Sequence, residues 1–134
     1  MATNAEFLSD ALRLIGVLPE NQPATAEQAE NARRMLDDMM ADWQAQEIDI
    51  GWTPIDDLTA ECDISPSDRQ AVKYNLAVRL YGIYPTANGL RPDVVAIAQA
   101  GYDRLLSTSL EDRQVEIDMT HLPLGYNRSN ILTG

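Results

Sequence analysis

One cysteine, Cys62, and one histidine, His121, occur in 134 residues. No intrachain disulfide can form and no multi-cysteine metal site exists. A lone thiol, with the only histidine far away near the C-terminal end, reads as a half-buried free cysteine rather than a nucleophile. Basic residues are scarce as well, 10 against 21 acids, for a formal charge of −11. A surface of that sign repels phosphate, so tight nucleic-acid binding through a Lys/Arg patch is disfavoured. No apolar run approaches the roughly 20 residues that span a bilayer. The first residues lack the basic-then-apolar plan of a signal peptide, and the expectation is a soluble, intracellularly made protein. The Gly-rich phosphate loop, the nucleophile elbow and the His-Glu-x-x-His spacing are all missing, which leaves nucleotide hydrolysis, esterase and zinc-protease chemistry without support.

What is present suits one folded domain: 45% hydrophobic and 23% charged residues, in a length that closes one core. The charge is unevenly placed. Residues 1–63 hold fourteen acids and three bases (Arg13, Arg33, Arg34), while residues 64–134 hold seven of each. An acidic face of this kind serves solubility, or stands beside DNA as a non-adhesive wall.

The periodicity predicts a mainly α protein: a four-helix body, a short strand or hairpin insertion between helices 2 and 3, and an extended C-terminal arm. Thr3-x-x-Glu6 has capping-box spacing, and Leu8, Ala11, Leu12 and Ile15 recur at helical intervals until Gly16, giving a first helix over about 4–16. A second box, Thr25-x-x-Gln28, opens a helix whose stripe is Ala29, Ala32, Leu36, Met39, Met40 and Trp43, ending near Gln46. Ile48, Ile50, Trp52 and Pro54-Ile55 alternate with polar residues or glycine in a run too short for a helix, which predicts the strand or hairpin. Trp52 is either a core plug or an exposed anchor. Ser65-Pro66-Ser67-Asp68 places a cap, a first-turn proline and an acid at the start of the third helix. That helix is apolar around most of its girth and should be central. Pro92-Asp93 opens the fourth, which can pack antiparallel on the third with Gly101 permitting close approach.

Residues 1–112 are thus expected to form the helical domain and 113–134 an extended docking tail. Val115, Ile117 and Met119 alternate with Glu116 and Asp118, which reads as extended chain. Fully stretched, the tail would reach on the order of 70 Å. It carries Leu122, Pro123, Leu124, Tyr126, Ile131 and Leu132, apolar groups for which a small helical body offers no evident burial. They are the candidate partner-binding residues, in an arm that orders on another molecule. A tail folded back on its own subunit, or one simply disordered, is the alternative.

No catalytic, cofactor-binding or metal-binding residue is expected. The adjacent carboxylates Asp37-Asp38 and Asp56-Asp57 could serve acid/base work in principle. Neighbouring helix positions diverge by about 100°, and polar surroundings are expected to leave both pairs as solvated surface with ordinary acidity. Arg33 and Arg34 should pair with acids on their own helix.

Residues 11–18 (Ala-Leu-Arg-Leu-Ile-Gly-Val-Leu), Leu36-Asp37-Asp38-Met39-Met40-Ala41-Asp42-Trp43 and Tyr74-Asn75-Leu76-Ala77-Val78-Arg79-Leu80 together resemble the head-to-tail connector proteins of tailed bacteriophages, also called tail accessory or packaged-DNA stabilisation proteins. The likeness covers most of residues 5–106 and departs after Leu80, at Tyr81-Gly82-Ile83-Tyr84-Pro85. It implies a structural virion protein at the head–tail neck, assembled in the host cytoplasm. It further implies a homo-oligomeric ring, commonly of twelve copies, beneath the portal protein, with a C-terminal arm along the portal. Such a ring extends the DNA channel, lets DNA pass without sequence-specific binding, and offers a surface to a downstream tail or nozzle protein. No membrane and no cofactor are implied. The alternatives are a small helical interaction or regulatory module unrelated to virions and, third, a cell-wall hydrolase working through a carboxylate pair.

Overall fold

A computed structural model describes residues 3–19, 21–48, 50, 51 and 53–121, with the backbone alone for 112–121. Four helices follow in order: α1 (Asn4–Leu14), α2 (Ala26–Ala45), α3 (Pro66–Tyr81) and α4 (Pro92–His121).

Side-chain caps open α1 and α2. The Thr3 side chain accepts from the Glu6 N–H at 3.2 Å. Thr25 and Gln28 form a full capping box, with Gln28 N–H donating to Thr25 Oγ1 at 3.2 Å and Thr25 N–H to Gln28 Oε1 at 3.0 Å. The cap expected at Ser65 differs: its hydroxyl makes no bond to the helix backbone and lies 3.1 Å from the Ser67 hydroxyl. Pro66 at the first helical position, with its φ already fixed, starts α3 without it.

Phe7, Leu8, Ala11 and Leu12 of α1, Leu36, Met39 and Met40 of α2, and Val72, Leu76 and Leu80 of α3 are all at most 1% exposed, and together they make one core. A large side chain of this kind contributes roughly 1.5–3 kcal/mol on burial. Helix α3 packs against the other three, as its girth of apolar residues predicted. The α3–α4 pairing is antiparallel. Asn75 Nδ2 donates to Ala98 O at 2.8 Å and Arg104 Nη2 to Ser67 O at 3.0 Å, so the chains run in opposite directions past each other. Trp43 of α2 meets Tyr102 of α4 edge to face, ring centroids 5.7 Å apart.

Two expectations fail. No strand forms among the described residues; the nearest thing to one is an isolated antiparallel bridge between Thr3 and Glu61. Positive φ at Glu47 (66°) and Gly51 (71°) bends the chain on both sides of Ile50, so the alternating run cannot stay straight. Ile48 and Ile55 are nevertheless buried, at 2% and 7% exposure, as plugs under a loop. Trp52 lies outside the described residues.

The second failure concerns the extended reading of residues 113–121; the rest of the expected arm, 122–134, lies outside the described residues. Helix α4 continues unbroken through His121. A helix already nucleated on α3 adds one hydrogen bond per further residue, and no proline follows Pro92 until Pro123. The alternation of Val115, Ile117 and Met119 spans only five positions, too few to outweigh that. Residues 107–121 therefore run past the first turn of α3, which lies alongside Arg104.

Candidate functional site

On α2 an ion cluster is built by helical spacing. Arg33 Nη2 holds Glu30 Oε2 at 2.6 Å and Arg33 Nη1 holds Asp37 Oδ2 at 2.9 Å; Arg34 approaches Glu30 at 3.6 Å. The pairing of both arginines within their own helix is as expected. The hydrogen bond from Arg33 pulls the Glu30 carboxyl below its ordinary range, and Glu30 in turn raises the Arg33 guanidinium.

Asp37 departs from the expectation of ordinary acidity. Burial pushes its carboxyl up; Arg33 opposes this, while the charges of Asp38, Glu30 and Asp56 add to it. Its Oδ1 is buried without a hydrogen-bond partner. Polar neighbours in the sequence concealed the partial burial of this carboxylate, whose Oδ1 is shut off from solvent. Asp57 behaves oppositely: the Thr59 hydroxyl and N–H both donate to Oδ1, at 2.7 and 2.9 Å, and hold its acidity below the usual range. Asp37 is salt-bridged and Asp57 is spent on its own turn, so neither pair presents two free carboxylates across an open cleft. Cys62 is buried, deeper than the half-buried thiol expected. No group of three or more His, Cys, Asp or Glu is placed to hold a metal among the described residues.

Surface depressions lie elsewhere among the described residues. One, about 270 Å³, follows the α3–α4 crossing between Gln70, Ala71, Ile97, Ala100 and Arg104. A second, about 180 Å³, lies against the 53–63 loop and is rimmed by Asp56, Asp57, Glu61 and Asp63. A third, about 160 Å³, brings together Arg13, Gly16, Thr86, Asn88, Gly89 and Arg91. The sequence marked Gly16 as the end of the first helix but gave no sign that Arg13 and Arg91 line one pocket. Left-handed φ at Gly16 (80°) and Gly89 (75°) turns the two chain segments into the walls of that pocket. The six candidate binding residues, Leu122, Pro123, Leu124, Tyr126, Ile131 and Leu132, lie outside the described residues. No described helix is long and apolar enough to cross a membrane.

The class defined by these features is a small helical bundle with one core, a long final helix and charge concentrated at particular surface sites. The profile of the P22 tail accessory factor family matches residues 1–133, nearly the whole chain, and the protein belongs to that family. No curated protein matches the chain. Family membership gives it a structural role in a bacteriophage particle, in association with other virion proteins.

Proposed function

We infer that the protein is a head-to-tail joint: copies form a ring on the portal protein at the virion neck, extend the DNA channel, and present the surface on which a downstream tail or nozzle protein docks. The observation that carries this reading is the length of α4, which outruns α3 and leads directly into the apolar residues Leu122, Leu124, Tyr126, Ile131 and Leu132. A rod followed by an apolar strand-length segment suits an arm that reaches beyond its own body to a partner. The portal is the partner proposed, with twelve copies as the ring size that the family resemblance suggests. The role is mechanical rather than catalytic, and the excess of carboxylates in residues 1–63 favours DNA sliding past without adhering.

The test is deletion of residues 122–134 followed by native mass spectrometry and electron microscopy with purified portal. The helical body should keep its circular-dichroism spectrum and thermal transition. Affinity for the portal should fall more than roughly tenfold, because each apolar anchor lost from a buried contact is worth about 1.5–3 kcal/mol. Undiminished portal binding by the shortened chain would remove the arm from the proposal.

A further inference from the structure

The depression between α3 and α4 is a trough made by the close crossing itself. Gly101 and Ala71 bring the two backbones together without side chains that could fill the space beside them. Ala71, Ile97, Ala100 and Gly101 give it an apolar bed, and Ser67, Gln70 and Arg104 give it a polar rim. Arg104 is turned onto α3, where it donates to Ser67 O at 3.0 Å and meets Asp68 at 3.3 Å, so its charge is already answered. At about 270 Å³ the trough falls below the roughly 300–1,000 Å³ of small-molecule pockets, a size that suits one or two aliphatic side chains of a peptide.

What can reach the trough is set by helix geometry. From Arg104 to His121 the axis of α4 rises roughly 26 Å. A chain returning along it advances at most about 3.3–3.6 Å per residue. Leu122, Leu124 and Tyr126 follow His121 too closely to cover that distance, whereas Ile131 and Leu132 cover it with a turn to spare. Pro123 and Gly125 are turn-forming residues at the place where the chain has to reverse. With Ile131 level with Arg104, Arg128 stands about 10 Å further along the helix, at the level of Glu111. Glu111 is exposed and follows Ile97 and Arg104 at intervals of seven residues, so it lies on the face that carries the trough. Arg128 is the only charged side chain in residues 122–134, and its sign is opposite.

We propose that the α3–α4 trough holds Ile131 and Leu132 of its own chain, with Arg128 on Glu111, and so withholds the arm from its partner in the free subunit. Chain length and charge select the same register of the same segment. An arm tethered beside its site is present at an effective concentration in the millimolar range, so a contact of two aliphatic side chains and one ion pair suffices to hold it. The inference rests on the arm reading above and adds its regulation. Ile131 and Leu132 serve two surfaces in turn, and the partner binds with an affinity reduced by the fraction of arms left free.

Paramagnetic relaxation in the full chain tests it. A nitroxide on Thr133→Cys, with Cys62 buried and the wild type treated identically as control, should broaden the amide signals of Gln70, Ile97 and Gly101. Ala100→Gln, a helix-compatible change at an exposed position that fills the trough, should abolish that broadening and leave the melting curve unchanged. Ile131→Ser/Leu132→Ser should abolish it too, whereas Leu122→Ser/Leu124→Ser should keep it. Arg128→Glu should reduce it, and adding Glu111→Arg should restore it. With the trough filled, Ala100→Gln should bind purified portal about two- to tenfold more tightly than the wild type, as the share of free arms rises. Absence of broadening at the trough, or broadening that persists in Ala100→Gln, overturns the proposal. So does broadening of equal size in a mixture of isotope-labelled chain without nitroxide and nitroxide chain without isotope, since the trough then belongs to the arm of a second copy. Portal affinity that Ala100→Gln leaves unchanged overturns it as well, because the contact then withholds nothing. A portal that binds none of these proteins sinks the joint function, while the broadening and its loss in Ala100→Gln still decide the contact within the chain.

Discussion

A Cβ placed on Gly101 of α4 would stand 2.7 Å from the Ala71 Cβ and 2.8 Å from the Ala71 Cα of α3. Backbone meets backbone here, and neither neighbouring atom belongs to a flexible side-chain end. Gly101→Ala should therefore force the helices apart. Alanine gains about 1 kcal/mol of helix propensity over glycine, while overpacking at a tight crossing costs about 1–3 kcal/mol. A net loss of about 1 kcal/mol in urea denaturation is expected. A gain in stability would show the crossing to be looser than described.

One turn further along the same crossing, Asn75 Nδ2 donates to Ala71 O and Ala98 O, both at 2.8 Å. The bond to Ala98 O ties α3 to α4 at the level set by Gly101, while the bond to Ala71 O stays within α3. Asn75→Ala should cost about 1–2 kcal/mol, near the sum of two modest hydrogen bonds. Combined with Gly101→Ala it should cost less than the two changes added, because helices already displaced no longer hold Ala98 O within reach. A double-mutant cycle reads that coupling directly.

Thr25 and Ser65 look alike in the sequence, each a hydroxyl residue just before a helical run, but only Thr25 caps. Thr25→Ala should lower stability by about 1 kcal/mol and fray the start of α2, visible as faster amide exchange at Glu27 and Gln28. Ser65→Ala should change stability by only a few tenths of a kcal/mol, within what an exposed substitution does. Equal losses at the two sites would contradict the geometry.

The four helices were legible because their signals are local and redundant. The caps at Thr3 and Thr25, the proline starts at Pro66 and Pro92, and the apolar stripe through Leu36, Met39, Met40 and Trp43 each mark the same boundaries and faces that folding uses. The close approach at Gly101 was legible for a similar reason, since a glycine inside an apolar helical stripe has few other uses. What misled was short alternation. Around Ile50 and again at Val115, Ile117 and Met119 a period of two runs over a handful of residues, and neighbouring structure overrides it: left-handed bends at Glu47 and Gly51 in the first case, propagation of α4 in the second. The Arg13–Arg91 pocket had no one-dimensional signature, because the partners are far apart in the chain and meet only where two loops turn. The altered acidity of Asp37 was hidden likewise, since it depends on burial that only the folded chain creates.

Asp37 and Glu30 share Arg33 but should respond to pH with opposite sign. Burial raises the Asp37 carboxyl above its ordinary value of 3.8, so the folded state favours its protonated form. Its contribution to stability is greatest below 3.8 and is lost as pH rises through the folded value. Asp37→Asn removes that loss: relative to wild type it should gain stability as pH climbs from about 4 toward 7, even though the bond to Arg33 is weakened. The Glu30 carboxyl is lowered below 4.5 by its bond from Arg33, so its contribution is present above 4.5 and disappears as pH falls through the folded value. Glu30→Gln should therefore be less stable than wild type near neutrality and converge with it in acid. This effect should shrink in high salt because Glu30 is exposed. Chemical denaturation of the three proteins between pH 3 and pH 7 measures both trends at once. Parallel curves for the two variants would mean that Asp37 is as solvated as its sequence neighbours suggest, and that its buried oxygen is open to water in solution.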